Sequence, residues 1–231
     1  MRYDSAIIPF VNRKKPKPRS RAGRPSAAEA EGRIERLLDV AAEVFVEKGF
    51  DRASVYEIVK RAGASKETVY RRFPTKGELF SAVMRRQSGP GFDFLHEIVG
   101  SGQPVAEVLT AYAAVLVFPL VDKASLRVLR TVTASAETFP EVGRRFWEIG
   151  PVRVHQILAD FLRKRMAAGE LRNADPIEAA ELFVALCTGR FWSHGLFGIR
   201  PRATKADVEA YTALAVRSFL SLYRQSSSDS C

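Results

Sequence analysis

Basic, hydroxyl and aromatic side chains cluster between residues 54 and 76, and these residue types bind nucleic acids. Lysine and arginine neutralise phosphates or donate to guanine, and a carboxylate accepts from cytosine N4. Lys66 is a candidate donor to guanine O6 and N7, and Glu67 is a candidate acceptor from cytosine. The full set of candidates is Ser54, Tyr56, Lys66, Glu67, Thr68, Tyr70, Arg71, Arg72 and Lys76.

Two short helices joined by a turn are needed to position these side chains. Ser54 is the expected cap of the first helix, and Gly63 allows a sharp turn after it. Ser65 is the expected cap of the second helix, which Pro74 ends after Phe73. Two helices of about two turns with a Gly-containing connection are typical of a helix-turn-helix.

A helical wheel divides the second helix into an inner and an outer face. Val69 and Phe73 share the face that packs on the preceding helices. Glu67, Thr68 and Arg71 point away, and the first residues of such a helix meet base edges in the major groove. The side chains better placed for phosphates are Thr68, Tyr70, Arg72 and Lys76.

Several of these assignments leave an alternative open. Tyr70 either contacts a phosphate or packs against its own domain, and Tyr56 either touches a phosphate or is a surface tyrosine. Glu67 either accepts from a base or is a solvated acid that the helix dipole favours. Lys76 also opens the next helix, whose free N–H groups attract an anion.

Positive charge is concentrated at the beginning of the chain. The net charge is +10, and residues 1–86 contain 20 Lys and Arg against 11 Asp and Glu. This asymmetry predicts a polyanion-binding module joined to a nearly neutral one. The segment from Arg13 to Arg24 has seven basic residues and no acid, so we expect disorder. Arg21 and Arg24 either enter a minor groove or track phosphates, or the segment is a solvated tail or a misassigned start.

Residues 33–83 resemble the N-terminal DNA-binding domain of the TetR/AcrR family of bacterial transcriptional regulators. The matching residues are Ala41-Ala42-Glu43-Val44-Phe45, Lys48-Gly49-Phe50, Ser54 through Ile58, Ala62-Gly63-Ala64-Ser65, Thr68-Val69-Tyr70, Phe73, Lys76 and Leu79-Phe80. The resemblance implies a DNA-binding headpiece followed by a helical domain that binds an effector and dimerises. A weaker resemblance to a subgroup of such effector domains is carried by residues 139–143, 146–147 and 169–172.

The resemblance implies two further sites in the long C-terminal part. The expected lining of an effector pocket is Phe94, Tyr112, Leu116, Phe146, Trp147 and His155, although aromatic side chains at this spacing are usually ordinary core. The helix from Pro176 to Phe197 is apolar nearly all round and must be buried on several sides. The expected dimer interface on this helix and the next is Phe183, Val184, Cys187, Phe191, Tyr211 and Leu214.

The overall pattern predicts an all-α protein. Gly49 should end the first helix, and Asp175 should cap a later one. Capping boxes are expected at four places: Ser26 with Glu29, Ser54 with Glu57, Thr75 with Glu78 and Thr204 with Asp207. The expected organisation is a basic arm (1–25), a helix-turn-helix domain (26–75), a ligand-binding and dimerisation domain (76–225) and a disordered tail (226–231).

Several classes of function are not expected. The sequence contains no nucleophile elbow, phosphate-cradling loop or dinucleotide fingerprint, so we expect neither an enzyme nor a cofactor. The three histidines are isolated from one another, which argues against a metal site. Two cysteines do not form a disulfide framework, and no apolar run approaches a membrane span, so a cytoplasmic location is expected.

These observations favour a homodimeric regulator, most simply a repressor, that binds a palindromic double-stranded DNA operator and is released by a small, largely apolar effector. The alternative is an architectural protein that binds DNA through charge without ligand control. A regulator protects one short palindrome, whereas an architectural protein binds any duplex.

Overall fold

The computed structural model describes residues 27–199 and 204–225, and these ranges contain helices and no β-strand. The helices are α1 (Ala27–Arg52), α2 (Val55–Ala62), α3 (Lys66–Arg72), α4 (Lys76–Gly100), α5 (Val105–Val121), α6 (Lys123–Ala136), α7 (Pro140–Ile149), α8 (Pro151–Ala167), α9 (Pro176–Leu196) and α10 (Lys205–Tyr223). The all-α fold predicted from the sequence is confirmed. No single helix in the described ranges is both long and apolar enough to cross a membrane.

Most predicted helix caps are present. Thr204 Oγ1 accepts from the Asp207 amide at 3.2 Å, and the Asp207 carboxylate accepts from the Thr204 amide at 2.8 Å, which completes a capping box on α10. Asp175 caps α9 by accepting from the amides of Ile177 and Glu178. These bonds satisfy amides that the first turn of a helix leaves without intrahelical partners.

The first helix breaks where the sequence predicts. Gly49 has a φ of 77° and a ψ of 171°, so the helical path of α1 is interrupted there and a short segment continues to Arg52. A positive φ favours glycine because it has no Cβ.

The capping box predicted at Ser54 and Glu57 is wrong. Ser54 makes no side-chain capping bond at the start of α2. Glu57 instead accepts from Lys48 Nζ at 2.6 Å and pairs with Arg61 at 2.7 Å. These charge-assisted bonds are stronger than a bond to a neutral amide, so the glutamate turns toward them. The box predicted at Ser26 involves a residue outside the described ranges.

The first compact unit comprises residues 27–89 and 127–149 of the described chain. Its core includes buried apolar side chains of α1 to α4, α6 and α7: Leu37, Val44, Ile58, Val69, Leu79, Val132 and Val142. Phe50 contacts Phe80 and Phe139, with ring centroids 5.5 Å apart in both pairs. Burial of each such side chain contributes about 1.5–3 kcal/mol, which makes this core the support for the short α2 and α3.

The second compact unit comprises residues 90–126, 150–199 and 204–225 of the described chain. Its central helix is α9, which packs against α5, α8 and α10. The largest fully buried side chains of this unit include Tyr112, Phe183 and Phe219. This packing buries one side of α9, whereas Leu182, Ala185 and Gly189 on the opposite side are exposed, so the expectation that α9 is buried on several sides is not met within one protomer.

The compact units do not follow the domain boundary predicted after residue 75. Residues 76–89 and 127–149 belong to the same unit as the helix-turn-helix. The physical reason is that Val128 and Val132 of α6 and Val142 of α7 bury their side chains in the core of that unit. The predicted arm (1–25) and tail (226–231) lie outside the described residues.

Candidate nucleic-acid interface

A left-handed glycine builds the turn between α2 and α3. Gly63 has a φ of 60° and a ψ of 32°, and its amide donates to the carbonyl of Lys60 at 3.3 Å. The Ala64 amide donates to the Val59 carbonyl at 3.1 Å, which closes the end of α2. Ser65 then caps α3 by accepting from the Thr68 amide at 3.5 Å. The predicted roles of Gly63 and Ser65 are confirmed.

Two apolar anchors hold α3 against the rest of the unit. Val69 is 1% exposed and Phe73 is 8% exposed, and both belong to the core. The remaining side chains of α3 are exposed, and they are Lys66, Glu67, Thr68, Tyr70, Arg71 and Arg72. The inner and outer faces predicted from the helical wheel are therefore confirmed. We call these six exposed residues the outer face of α3.

The outer face of α3 is predominantly basic. It contains three basic side chains and one acidic side chain, Glu67. Lys66 Nζ lies 5.8 Å from the centroid of the Tyr70 ring, one helical turn along. Tyr70 is 39% exposed, and Tyr56 on α2 is 65% exposed, so both hydroxyl-bearing rings are accessible from solvent. Ser54 is also exposed. Their contacts with DNA remain predictions.

A network of ion pairs fixes α2 against α1, and sequence reasoning missed it. Lys48 pairs with Glu57 at 2.6 Å, and Arg61 pairs with both Glu57 and Glu47, at 2.7 and 2.8 Å. The hydrogen bond from Lys48 holds the pKa of Glu57 below its usual value, and the bond to Glu47 raises the pKa of Arg61. Part of the network could have been predicted, because Glu57 and Arg61 lie four residues apart on one helix, a spacing that favours an ion pair.

Lys76 is engaged within the protein. Its Nζ donates to the carbonyls of Asp51 at 2.9 Å and Ala53 at 3.3 Å. The same ammonium lies 4.6 Å from the centroid of the Phe50 ring and 5.7 Å from that of Phe139. Lys76 therefore joins the start of α4 to the end of α1, and a phosphate contact by this residue stays a prediction. Arg21 and Arg24 lie outside the described residues.

The structure does not bring the six predicted pocket residues together in one unit. Phe146 packs against the core of the first unit, and Trp147 on the same helix is 52% exposed. The second unit contains Phe94, Tyr112, Leu116 and His155. Phe146 and Trp147 belong to α7, whose apolar side faces the core of the helix-turn-helix unit, and the predicted pocket stays a prediction.

Two of the remaining pocket candidates carry polar groups. Tyr112 is fully buried, and its hydroxyl donates to the Val154 carbonyl at 2.7 Å. Burial raises the pKa of Tyr112, so this hydroxyl stays protonated. Burial also lowers the pKa of half-buried His155, while the negative charge of Glu181 opposes that change. These groups could orient an effector within the second unit.

A shallow groove of about 350 Å³ lies on the first unit, between α1 and α6. Its lining includes Gly49, Arg52, Thr131, Ser135 and Phe139. None of the six predicted pocket residues lines it. The groove is therefore a different feature from the predicted effector pocket.

The predicted dimer interface also needs correction. Phe183, Cys187 and Phe191 are buried inside the second unit and present no surface to a partner. Phe183 contacts Phe219 with ring centroids 5.1 Å apart, and Phe191 contacts Tyr211 at 5.2 Å. Burial raises the pKa of Cys187 to about 12, so this group stays a protonated thiol near neutral pH.

Other predicted interface residues are more accessible. Val184 and Tyr211 are half-buried, and Leu214 is 52% exposed. The buried residues fill the side of α9 that faces the rest of the unit. An interface formed by α9 and α10 would have to use their opposite side.

The outer face of α3 on this scaffold defines the class of protein, a helix-turn-helix DNA-binding protein. The family model for bacterial regulatory proteins of the tetR family matches residues 37–83. The model for the C-terminal domain of AefR-like transcriptional repressors matches residues 107–225. The chain belongs to the TetR family of bacterial transcriptional regulators.

Similar proteins agree with this assignment. The HTH-type transcriptional regulator SrpR from Pseudomonas putida is 28% identical over 216 residues, which cover 87% of this chain and 90% of that protein. The crystal structure of a TetR-family regulator from Mesorhizobium loti has a TM-score of 0.75 at 27% identity, covering 85% of this chain and 98% of that one. The flavonoid-responsive regulator FrrA has a TM-score of 0.70 at 26% identity, covering 84% and 98%. These relatives are regulators rather than enzymes.

Proposed function

We propose that this protein is a homodimeric repressor that binds a palindromic DNA operator and is released from it by a small, largely apolar effector. The observation that carries the proposal is the outer face of α3, which is exposed and mainly basic while Val69 and Phe73 anchor the helix. The similarity to the C-terminal domain of AefR-like repressors supports the repressor role.

The proposed recognition divides the outer face between bases and phosphates. Lys66 and Glu67 lie in the first turn of α3, where side chains of a recognition helix reach base edges. A good bidentate base contact is worth about 1–3 kcal/mol of discrimination. Phosphate contacts by Thr68, Tyr70 and Arg72 would add affinity with little sequence preference.

The proposed dimer uses the solvent side of α9 and α10. On α9 the exposed residues Leu182, Ala185, Gly189 and Trp192 follow one another at intervals of three and four, so they form one stripe. Leu214 extends the exposed apolar surface on α10. Ala185 and Gly189 are small enough to let a second copy approach closely. Two such helices from each copy would form a four-helix interface with two-fold symmetry.

The proposed effector binds in the second unit, among Phe94, Tyr112, Leu116 and His155. The name of the similar FrrA, a flavonoid-responsive regulator, supports control by a small molecule. The mechanism is a population shift: the effector favours a dimer whose recognition helices no longer match half-sites about 34–36 Å apart. The effector must therefore bind that state more tightly than the DNA-bound state.

Footprinting of the full-length protein on the DNA beside its own gene tests the proposal. We expect protection of one short palindrome. The variant Lys66→Ala should need a higher protein concentration to protect it, while the control variant Lys60→Ala should protect it as the wild type does. Lys60 is an exposed lysine on α2 that is not among the predicted contacts. Equal protection of every duplex, with an affinity that varies with salt concentration but not with sequence, would instead identify an architectural protein.

A reporter gene placed behind the protected palindrome tests the direction of regulation. Deletion of the regulator should raise transcription if it is a repressor. A fall in transcription on deletion would contradict this part of the proposal without affecting DNA recognition.

A further inference from the structure

A hydrogen-bonded chain joins α7 to the first turn of α4. Arg145 Nη1 on α7 donates to Ser81 Oγ at 3.0 Å. Ser81 is fully buried, and its Oγ donates to the carbonyl of Gly77 at 2.8 Å. Arg145 lies in the segment that matches the C-terminal family model, whereas Ser81 and Gly77 lie in the segment that matches the N-terminal one. All three residues belong to the first compact unit.

The guanidinium group of Arg145 occupies the space beside a glycine. A Cβ at position 77 would lie 3.5 Å from Arg145 Nε and 3.9 Å from its Cζ. A longer side chain at position 77 would therefore displace the guanidinium group. The φ of Gly77 is not positive, so its backbone conformation does not require glycine. What glycine provides at this position is space for the guanidinium group of Arg145.

The position of this cation is electrostatically unfavourable for α4. The N-terminal end of a helix carries partial positive charge, which attracts anions and repels cations. Among the described residues no carboxylate forms an ion pair with Arg145, and its Nε is buried without a hydrogen-bond partner. Glu78, the next residue along α4, also has a buried oxygen, Oε2, without a partner. Arg145 as a whole is half-buried, and its guanidinium group gains no ion-pair stabilisation here, which argues for a role other than stabilising the fold.

The first turn of α4 leads directly to the DNA-binding helices. Lys76 in that turn donates to the carbonyls of Asp51 and Ala53, immediately before α2 begins. Through this turn, Arg145 is connected by successive contacts to the corner that supports α2 and α3. A chain of contacts permits energetic coupling, and measurement has to demonstrate it.

We propose that Arg145 is a positioning residue for DNA binding, which sets the first turn of α4 through Ser81 and thereby the orientation of α2 and α3. This inference rests on the proposed DNA recognition. It adds a residue from the C-terminal part of the chain that does not itself touch DNA.

The test compares Arg145→Gln with Arg144→Gln in the full-length protein. Arg144 is the adjacent, exposed arginine, which pairs with Glu148 on the same helix, so its variant is matched in charge and location. The probe is the duplex that the wild-type protein selects from random-sequence DNA. We expect Arg145→Gln to raise Kd about tenfold or more at a melting temperature close to wild type, and Arg144→Gln to change Kd less than threefold.

Two further variants separate positioning from a structural or charge effect. Arg145→Lys keeps a donor for Ser81 and should restore most of the affinity. As a single change, Ser81→Ala should weaken DNA binding. In a protein that already carries Arg145→Gln it should cause little further loss of affinity, since both changes remove the same link. Additive losses, or equal losses for Arg144→Gln and Arg145→Gln, would overturn the proposal. Because Ser81→Ala and Arg145→Lys are mild changes, the test remains decisive if Arg145→Gln fails to fold.

Amide hydrogen exchange provides a readout that does not depend on DNA. The Leu79 amide donates to the Thr75 carbonyl at 3.1 Å in the first turn of α4. Its exchange should accelerate in Arg145→Gln while exchange in the core of α1 is unchanged. Unchanged exchange at Leu79 would refute positioning even if DNA binding fell. A wild-type protein that selects no duplex would instead refute the proposed function.

Discussion

The ammonium group of Lys76 donates to the carbonyl oxygen of Asp51 at 2.9 Å and lies 4.6 Å from the centroid of the Phe50 ring. Carbonyl groups at the end of a helical segment carry partial negative charge, and an aromatic face also attracts a cation. Lys76 therefore connects the end of α1 to the beginning of α4.

Replacing Lys76 with alanine should lower the stability of the fold. The variant loses two charge-assisted hydrogen bonds in a half-buried position, which we expect to cost about 1–2 kcal/mol. For a chain of this length that corresponds to a melting temperature about 2–8 °C lower, measurable by circular dichroism. Lys60→Ala should leave the melting temperature unchanged. Wild-type stability for Lys76→Ala, together with a salt slope of DNA binding flatter by about one unit, would place the ammonium on a phosphate instead.

The variants Lys66→Ala and Arg72→Ala should weaken DNA binding in different ways. Loss of a base contact by Lys66 should relax the preference at one operator position by about 1–3 kcal/mol. Loss of a phosphate contact by Arg72 should weaken binding to all sequences similarly and flatten the salt dependence. Binding to a panel of single-base operator variants measures both effects. An equal loss for Lys66→Ala across the panel would exclude its role as a base reader.

A charge on the solvent side of α10 should dissociate the dimer. Leu214 is 52% exposed in the protomer, so Leu214→Asp leaves its fold intact but buries an unpaired charge in the proposed interface. We expect a helical monomer with greatly reduced operator affinity, detected by sedimentation and circular dichroism. Val152→Asp, at a site that is 44% exposed on α8, serves as the control and should remain dimeric.

The same experiment with a buried residue should give a different result. Phe183 is fully buried against Phe219, so Phe183→Asp should unfold or aggregate rather than dissociate. A stable dimer of Leu214→Asp would mean that the interface does not use the solvent side of α10. A folded, monomeric Phe183→Asp variant would mean that it uses the side of α9 that carries Phe183.

Stability should fall in acid partly because of Glu57. The hydrogen bond from Lys48 lowers the pKa of Glu57 in the folded state, so the folded protein binds this proton less readily than the unfolded chain. The contribution is therefore present above the unfolded pKa of about 4.5 and is lost as the pH falls through the lower, folded pKa. Urea unfolding between pH 6 and 3 should show a shallower decline for Glu57→Gln. An identical decline in both proteins would show that this pair contributes nothing.

The features that could be predicted from the sequence are those that depend on near neighbours in the chain. Gly63 and Ser65 shape the turn through bonds that span three to five residues, and the spacing of Val69 and Phe73 determines the inner face of α3. The family resemblance of residues 33–83 rests on the same local pattern. The helix-turn-helix and its outer face were therefore accessible without coordinates.

Tertiary structure decided the features that depend on distant parts of the chain. Because α9 is apolar nearly all round, its sequence could not show whether Phe183 faces a partner or Phe219 of the same protomer. The direction of Lys76 depended on the carbonyl of Asp51, 25 residues away. The hydrogen bond of Arg145 depended on Ser81, 64 residues away. Burial and hydrogen bonding depend on the spatial arrangement of the helices, because periodicity along one helix does not identify its neighbours in space.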